Sequence, residues 1–361
     1  MSEIIQPDSA QALAQALAEA NAAQRLVAPR GGGTKSDWGN PGARADIVLS
    51  TAGLNRIIEH AWADMTVTVE AGCTIAHLQK TLAQHGQRLA IDPLWPENAT
   101  IGGILATNDS GALRIRFGSL RDLIIGMTIA LPDGTIAMSG GKVVKNVAGY
   151  DLPKLMTGAL GTLGVITQAI FRLHPLPLTA KTLSANLPTL EAAQALMLAI
   201  QDSQLAHSAL QLRVATMAVD ILFEGTEAGV ASQQAFCSTL ANFQESSPEV
   251  WKAREQLWPA EGADIIKFSV LPSEIAQAVS RPKAHDCVVQ ATGIGHAKLK
   301  GADLAALRRQ VESGGGSFVI LTPSALDAWG SPGDTLTLMR AVKQQFDPNQ
   351  ILNRGRYVGG I

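Results

Sequence analysis

The chain has 361 residues, 46% of them hydrophobic and 17% charged, with 29 lysines and arginines against 31 aspartates and glutamates and a formal net charge of −2. That length supports a large core and about two domains, and the balanced charge, with no basic run or stripe, excludes a nucleic-acid surface. So few charges on a chain of this size point to apolar surface covered by another subunit. The three cysteines, Cys73, Cys237 and Cys287, lie far apart with no C-x-x-C pair. They can build neither a disulfide framework nor an iron–sulfur cluster, and they imply a reducing compartment. The opening Met1-Ser2-Glu3-Ile4-Ile5-Gln6-Pro7 lacks the basic and apolar regions of a signal peptide. No segment reaches the roughly 18 uncharged apolar residues of a membrane span, so the expected location is the cytoplasm, at most docked through partners to the inner face of the cell membrane.

In chain order, residues 9–25 carry Leu13, Leu17 and intervening alanines at helical spacing, and residues 26–29 form a short apolar strand ended by Pro29. The strand delivers the stretch RGGGTKSDWGN, residues 30–40. Successive glycines let backbone N–H groups turn inward as an anion-binding nest, and their missing side chains let a phosphate approach. A Walker A loop requires G-K-[ST], whereas Gly33-Thr34-Lys35-Ser36 puts the lysine out of register. A dinucleotide fingerprint requires its glycines to open a helix, but Ser36-Asp37-Trp38-Gly39-Asn40-Pro41-Gly42 is a run of turn formers. Taken alone, the glycine run is equally an ordinary surface loop, so its reading rests on what accompanies it.

Residues 46–50, a helix-like 54–60, a strand at 65–70 and a helix at 74–85 continue the alternation as one α/β lobe. A second, glycine-rich lobe covers about 100–175, with strands at 123–130 and 164–167 and a turn at Pro132-Asp133-Gly134. The linker His174-Pro175-Leu176-Pro177 opens an α+β cap, with strands at 210–214, 219–223, 265–270, 288–291 and 318–321 and helices near 226–243 and 302–312. A helix from Asp334 carries Leu336, Met339, Val342 and Phe346 on one face and leads into the turn Asp347-Pro348-Asn349.

Three further segments share the character of the first loop. Thr100-Ile101-Gly102-Gly103 through Thr107-Asn108-Asp109-Ser110-Gly111 pairs glycines with hydroxyl and amide side chains, suited to the rim of a flat polar ligand, and residues 114–118 extend it to Gly118. Lys145 to Leu152 leads into Thr157-Gly158-Ala159-Leu160-Gly161-Thr162-Leu163-Gly164-Val165-Ile166-Thr167, with glycine at every third position. In this order and spacing the segments resemble the vanillyl-alcohol oxidase and p-cresol methylhydroxylase family of FAD-linked oxidases. The resemblance covers residues 1 to about 175 and the tail 346–356, and the cap only weakly.

The resemblance implies an α+β protein with a two-lobed FAD-binding domain of the p-cresol methylhydroxylase type at 1–175, a small α+β cap domain at 176–330, and a C-terminal segment, 331–361, returning to the FAD domain. It also implies that Arg30, Gly31, Gly32, Gly33 and Thr34 face the FAD pyrophosphate, with Thr100, Gly102, Gly103, Thr107, Asn108, Ser110, Gly111 and Gly118 along ribityl and flavin. Gly158, Gly161, Gly164 and Ile166 would hold the adenosine part. Asn353 and Arg356 would approach the flavin ring from a tail that usually reads N-P-G-[KR], where Arg354 here replaces the proline. Relatives that tether FAD covalently use a histidine in the first loop or a cysteine in the second segment. Thr34 and the cysteine-free run 107–111 stand there, so the cofactor is expected to be noncovalent.

Relatives that oxidise 2-hydroxy acids carry a metal and base motif, G-H-x-G-D-G-N-x-H. The corresponding Ala291-Thr292-Gly293-Ile294-Gly295-His296-Ala297-Lys298 has no carboxylate and no second histidine, so no metal site is expected. His296 is either a base or a solvated histidine at a strand end. Short-capped members without the motif are similar to the FAD-binding E subunit of glycolate oxidase, which implies glycolate oxidation to glyoxylate beside a catalytic flavoprotein and an iron–sulfur subunit. A self-sufficient FAD oxidase of another alcohol or 2-hydroxy acid, and a noncatalytic architectural subunit, are the competing readings. Asp92, Glu97 and Asp151 are candidate acids or simply caps. Trp251 and Trp258 are a docking edge or packing. No serine sits in a G-x-S-x-G elbow, which argues against a hydrolase.

Overall fold

Hydroxyl and carboxylate caps start most of the longer helices. Ser9, Thr74, Thr189, Thr226 and Asp303 each accept a hydrogen bond from a first-turn N–H, satisfying a donor that the helix itself cannot pair. In the computed structural model, which describes residues 2–142, 150–280 and 286–361, the chain divides into two units. The first comprises residues up to 110, 118–176 and 331–361. The second comprises 111–117 and 177–330. Of the candidate segment Lys145 to Leu152, residues 145–149 lie outside the described residues.

The first unit begins with β1 (Glu3–Ile5), α1 (Ala10–Ala22), β2 (Val27–Arg30) and β3 (Ile47–Ser50), with the strands in the parallel order β1-β3-β2. Leu13, Leu17 and Ala20 of α1 pack on Val27, Ile47 and Leu49, and Leu54, Ile351 and Leu352 close this core. Next come β4 (Ile57–Ala61), β5 (Thr66–Glu70), α2 (Ile75–Ala83), β6 (Gln87–Arg88) and α3 (Ile101–Thr107), then α4 (Arg114–Phe117), which groups with the second unit. The chain returns through α5 (Leu120–Leu123), β7 (Ile124–Ala130), β8 (Ile136–Gly140), α6 (Leu152–Met156), β9 (Val165–Arg172) and β10 (His174–Pro175). An antiparallel sheet of order β4-β5-β9-β7-β8 packs its Val67, Val69, Met127, Ala169 and Phe171 against α2 and α3.

Two expectations change here. Residues 57–61 form a strand where a helix was expected, because an edge strand that pairs with β5 from Ile57↔Val69 to Ala61↔Thr66 satisfies its backbone through tertiary contact, whatever its local propensity. The lobes also divide earlier than expected. Every residue of β5 is buried, and its second edge pairs with β9 from Thr66↔Arg172 to Glu70↔Gln168, so the chain joins the second sheet well before residue 100.

The second unit contains β11 (Thr179–Asn186), α7 (Leu190–Gln201), β12 (Ala209–Arg213), β13 (Ala218–Gly225), α8 (Glu227–Leu240), β14 (Gln244–Glu245), β15 (Asp264–Ser269), α9 (Ile275–Ser280), β16 (Asp286–Gln290), β17 (Ile294–Leu299), α10 (Leu304–Ser313) and β18 (Ser317–Ile320). One eight-stranded sheet runs β14-β11-β13-β12-β16-β17-β15-β18. Its strands alternate faces: Leu210, Leu212, Val219, Ile221, Val289 and Ala297 share an apolar core with α7, α8, α9 and α10. The opposite face is polar. There the fully buried Asp220 accepts from Ser184 Oγ (2.6 Å), Gln211 Nε2 (3.0 Å) and both Arg213 donors (2.7 and 2.9 Å).

The tail belongs to the first unit. The helix α11 (Leu336–Phe346) ends in a buried knot: Lys343 Nζ donates to Asp347 Oδ2 (2.6 Å), to the carbonyl of Thr162 (2.7 Å) and to that of Leu352 (3.1 Å). Asp347 also accepts from the N–H groups of Ile351 and Leu352. Val27 donates to the Ile351 carbonyl at 2.8 Å and Asn353 to the Val27 carbonyl at 2.9 Å, so the tail lies along the outer edge of β2.

Candidate functional site

At the end of β2 the chain leaves the sheet into residues 31–34. The N–H groups of Gly31, Gly32, Gly33 and Thr34 have no hydrogen-bond partner among the described residues. Two of these glycines are required by packing. A Cβ on Gly31 would stand 2.1 Å from Thr100 Oγ1, and one on Gly32 only 1.8 Å from the Asn98 carbonyl oxygen. Gly33 has φ +71°, in the left-handed region.

The loop packs against the start of α3, which treats its own N–H groups differently. Ile101 donates to the Cys73 carbonyl (3.0 Å), Gly102 to that of Ala71 (2.7 Å) and Gly103 to its cap Thr100 Oγ1 (3.3 Å). The helix start is therefore already satisfied, whereas the loop presents a row of donors with no partner among the described residues.

A cleft of two adjoining pockets follows, sharing Pro29, Arg30, Gly31, Gly103, Ala106 and Leu160. One, of about 490 Å³, extends past Gly32, Gly33, Thr34, Thr100 and Thr107 to Asn353 and Arg356. The other, of about 500 Å³, is lined by Gly102, Ala159, Gly161, Gly164 and Ile166. Fourteen of the nineteen expected site residues are thus brought together. Gly118 is outside the lining; at φ +83° it precedes Ser119, whose N–H and hydroxyl both bond Asp122 at the start of α5. Gly158, at φ +90°, ties its N–H to the Leu105 carbonyl. Ser110 is buried outside the lining, and Gly111 groups with the second unit. Asn108 takes a left-handed φ of 49° at the end of α3, with its buried Oδ1 unpartnered among the described residues.

The polar edge of the cleft is cationic. Arg30 is exposed and makes no ion pair among the described residues. Arg356 donates to the carbonyls of Ser36 (2.6 Å) and Trp38. Burial lowers its pKa, Asp37 opposes that shift, and the nearby Arg30 charge adds to it. Asn353 and Arg356, expected near a flavin ring, are placed beside the glycine loop. Asn353 spends its Nδ2 on the Leu160 carbonyl (2.6 Å), which fixes the amide orientation and leaves Oδ1 buried without a partner among the described residues.

Beneath the loop lies a pair that sequence reasoning missed. Lys35 Nζ meets Asp109 Oδ2 at 3.2 Å with both side chains almost wholly buried, and it donates to the Leu94 carbonyl (3.2 Å) and Thr34 Oγ1 (3.4 Å). The rings of Trp38 and Trp95 lie 5.7 and 5.3 Å from the ammonium. An ammonium only donates, so the Thr34 oxygen is the acceptor and its own O–H remains free to donate. The lysine that is out of Walker A register is thus the buried counter-charge of Asp109 beneath the loop. Asp109, standing inside the second motif, was the available signal.

Among the acids considered, Asp151 caps α6 through the Lys154 N–H and pairs with its ammonium at 2.8 Å. The Lys154 hydrogen bond holds its pKa below the ordinary value. Asp92 is half-buried and Glu97 exposed, and neither lines the cleft. His296 is 1% exposed within β17, between partners Val288 and Lys267, so it is no solvated strand-end residue. Trp251 donates Nε1 to Thr182 Oγ1 at 3.0 Å and is half-buried, as is Trp258, in keeping with packing. Among the described residues no group of three or more histidine, cysteine, aspartate or glutamate side chains could hold a metal ion, and no helix is long and apolar enough to cross a membrane.

Comparison with known proteins gives this cleft a context. Residues 1–139 match the FAD binding domain family, and residues 331–357 match the C-terminal domain of FAD linked oxidases. The chain is 26% identical to the mitochondrial D-lactate dehydrogenase (cytochrome) of Arabidopsis thaliana, over 98% of this chain and 73% of that protein. It is 36% identical to the glycolate oxidase subunit GlcD of Bacillus subtilis, over 46% of this chain and 36% of that protein. A solved alkyldihydroxyacetonephosphate synthase structure shares the fold, with a TM-score of 0.72 at 18% identity, covering 97% of this chain and 76% of that one.

Proposed function

The chain belongs to the FAD-linked oxidases with a p-cresol methylhydroxylase-type FAD-binding domain, and on that premise we propose that its first unit holds FAD noncovalently for the oxidation of a 2-hydroxy acid. The observation that carries the proposal is the row of four N–H groups from Gly31 to Thr34 with no partner among the described residues, flanked by Arg30 and Arg356. Such a row fits a pyrophosphate, which needs several donors and compensating positive charge. The cleft runs on past Gly102, Gly103, Gly161 and Gly164, where the rest of a dinucleotide would lie, and Asn353 Oδ1, without a partner among the described residues, would meet a hydroxyl of it. When bound, FAD supplies the two-electron acceptor. The chain's residues bind and orient it.

Noncovalent attachment is supported by the three cysteines, which are buried away from the cleft lining. Burial pushes the thiols of Cys73 and Cys237 up to about 11 and about 12, and that of Cys287 higher still, so none offers a thiolate. Acid precipitation should leave the yellow colour in the supernatant. Flavin fluorescence in the pelleted chain would contradict the proposal.

At the finer level we propose a subunit of a glycolate oxidase complex that works beside a catalytic flavoprotein and an iron–sulfur subunit. Its support is the likeness to the Bacillus glycolate oxidase subunit and the want of a metal and base motif at residues 291–298. Hydride abstraction from a 2-hydroxy acid needs a base on the hydroxyl and a cation for the carboxylate. The purified chain should therefore carry flavin that glycolate bleaches slowly or not at all, and co-expression with the two partners should restore glycolate-dependent dye reduction. A second reading, a self-sufficient dehydrogenase, draws on the alignment of 98% of the chain with the plant enzyme. Rapid bleaching of the lone chain by glycolate or D-lactate would establish that reading instead, with His296 the first residue to replace.

A further inference from the structure

The first unit contains another hollow, on the far side of the wall 157–163 from the cofactor cleft. Ala159 lines both. It is an open hollow that lies between α6, this wall, α11 and Tyr357. Its walls are apolar: Leu155, Leu163, Leu338, Met339 and Val342. Leu338 is 69% exposed and Leu155 37%, which places apolar surface at the mouth of the hollow.

The polar groups of the hollow are nearly all committed. Thr157 Oγ1 donates to the Pro153 carbonyl at 2.7 Å and Thr162 Oγ1 to the Ala159 carbonyl at 2.8 Å, so the floor offers no hydroxyl donor. Lys154 is paired with Asp151. Arg121 is the exception: it is exposed and makes no hydrogen bond or ion pair among the described residues, although its charge also bears on the Asp151 carboxylate. Its charge reaches into the hollow, where it opposes the rise that burial imposes on the pKa of Tyr357.

An apolar body whose rim carries a guanidinium with no ion pair among the described residues defines a ligand by its chemistry. We propose that this hollow binds an amphipathic carboxylate, its hydrocarbon chain lying against Leu163, Met339 and Val342 and its headgroup paired with Arg121. A guanidinium pairs with a carboxylate through two parallel hydrogen bonds, and apolar walls disfavour a ligand that is polar along its length. The assignment does not depend on flavin occupancy.

Calorimetric titration of the full chain with sodium dodecanoate below its micellar concentration tests it, with dodecyltrimethylammonium as the matched-tail cation. One dodecanoate should bind per chain, and the cation should give no saturable heat. Arg121→Glu, at an exposed position, should weaken dodecanoate by about tenfold or more through the reversed charge. Met339→Trp, filling the hollow, should abolish binding with the circular dichroism and melting temperature retained. No saturable dodecanoate binding by the wild type would overturn the assignment, as would equal binding of the cation or unchanged affinity in Arg121→Glu. A wild-type dimer that Met339→Trp dissociates, without dodecanoate heat, would give the hollow to a protein contact and overturn it equally.

Discussion

The loop 31–34 and the first turn of α3 lie side by side, are both rich in glycine, and treat their backbone donors in opposite ways. In the turn, Ile101, Gly102 and Gly103 donate to Cys73, Ala71 and Thr100. In the loop, four consecutive N–H groups have no partner among the described residues. Glycine content therefore does not identify a phosphate site. The fate of each N–H does, because an unpaired donor row needs an acceptor from solvent or ligand. The glycines differ in purpose as well. Gly31 and Gly32 let the loop touch residues 98–100, whereas Gly103 borders the cleft, where an added Cβ would meet only Thr100 Oγ1, at 3.2 Å.

The largest effect is expected where the loop is tied to the segment after α3. Lys35→Met removes one partner of a buried pair and should destabilise the apo-protein by about 3–5 kcal/mol in denaturant unfolding. The double change Lys35→Met with Asp109→Leu should recover only part of that loss, because it also strands the buried Leu94 N–H that donates to Asp109 Oδ2 at 2.8 Å. If the single variant is as stable as wild type, the pair does not hold the loop. Next comes Gly103→Val, which grows a side chain into the cleft and should weaken FAD by about a hundredfold, or about 2.7 kcal/mol, in calorimetry. Its apo melting temperature should stay near wild type. Gly32→Val should lower both the melting temperature and flavin occupancy, because its Cβ has no room beside Asn98 even without ligand. Identical behaviour of the two variants would erase the distinction between loop and turn.

Arg30→Glu should weaken FAD by about tenfold at low salt and by less at high salt, since an exposed charge is screened. An effect independent of salt would show that Arg30 acts through packing. The smallest change is Thr100→Ala, which loses a helix cap and should cost about 1 kcal/mol of stability. FAD affinity should hardly move, because the Gly103 N–H that Thr100 satisfies faces no phosphate in this account.

Much of this was legible in the residues. Pro29 and the glycines announce a strand that ends in an open loop, and the helix from Asp334 with its turn announces the returning tail. The helix at 101–107 was not visible, since Gly102 and Gly103 are poor helix formers. It forms because Gly102 must pass close to Ala71, where an added Cβ would stand 3.0 Å from the Ala71 Cβ, and because carbonyls of another segment accept its N–H groups. The helix expected at 54–60 failed for a related reason, since pairing with β5 lies outside any local window. Asp109 stands inside the second motif, but nothing local in the sequence links it to Lys35. Only the fold brings them together, and burial turns a surface-type pair into the support of the loop. Gly118 and Gly158 carried the motif pattern, yet their positive φ angles serve the backbone outside the cleft lining.

The central claim is that the open donors of the loop hold the cofactor, and residue-resolved amide hydrogen exchange, with and without saturating FAD, tests it most directly. The amides of Gly31, Gly32, Gly33 and Thr34 should exchange rapidly in the apo-protein and slow by at least about tenfold with FAD, while those of Ile101 and Gly102 should be protected in both states. Protection of the loop amides before FAD is added, or FAD-dependent protection confined to the first turn of α3, would contradict the account.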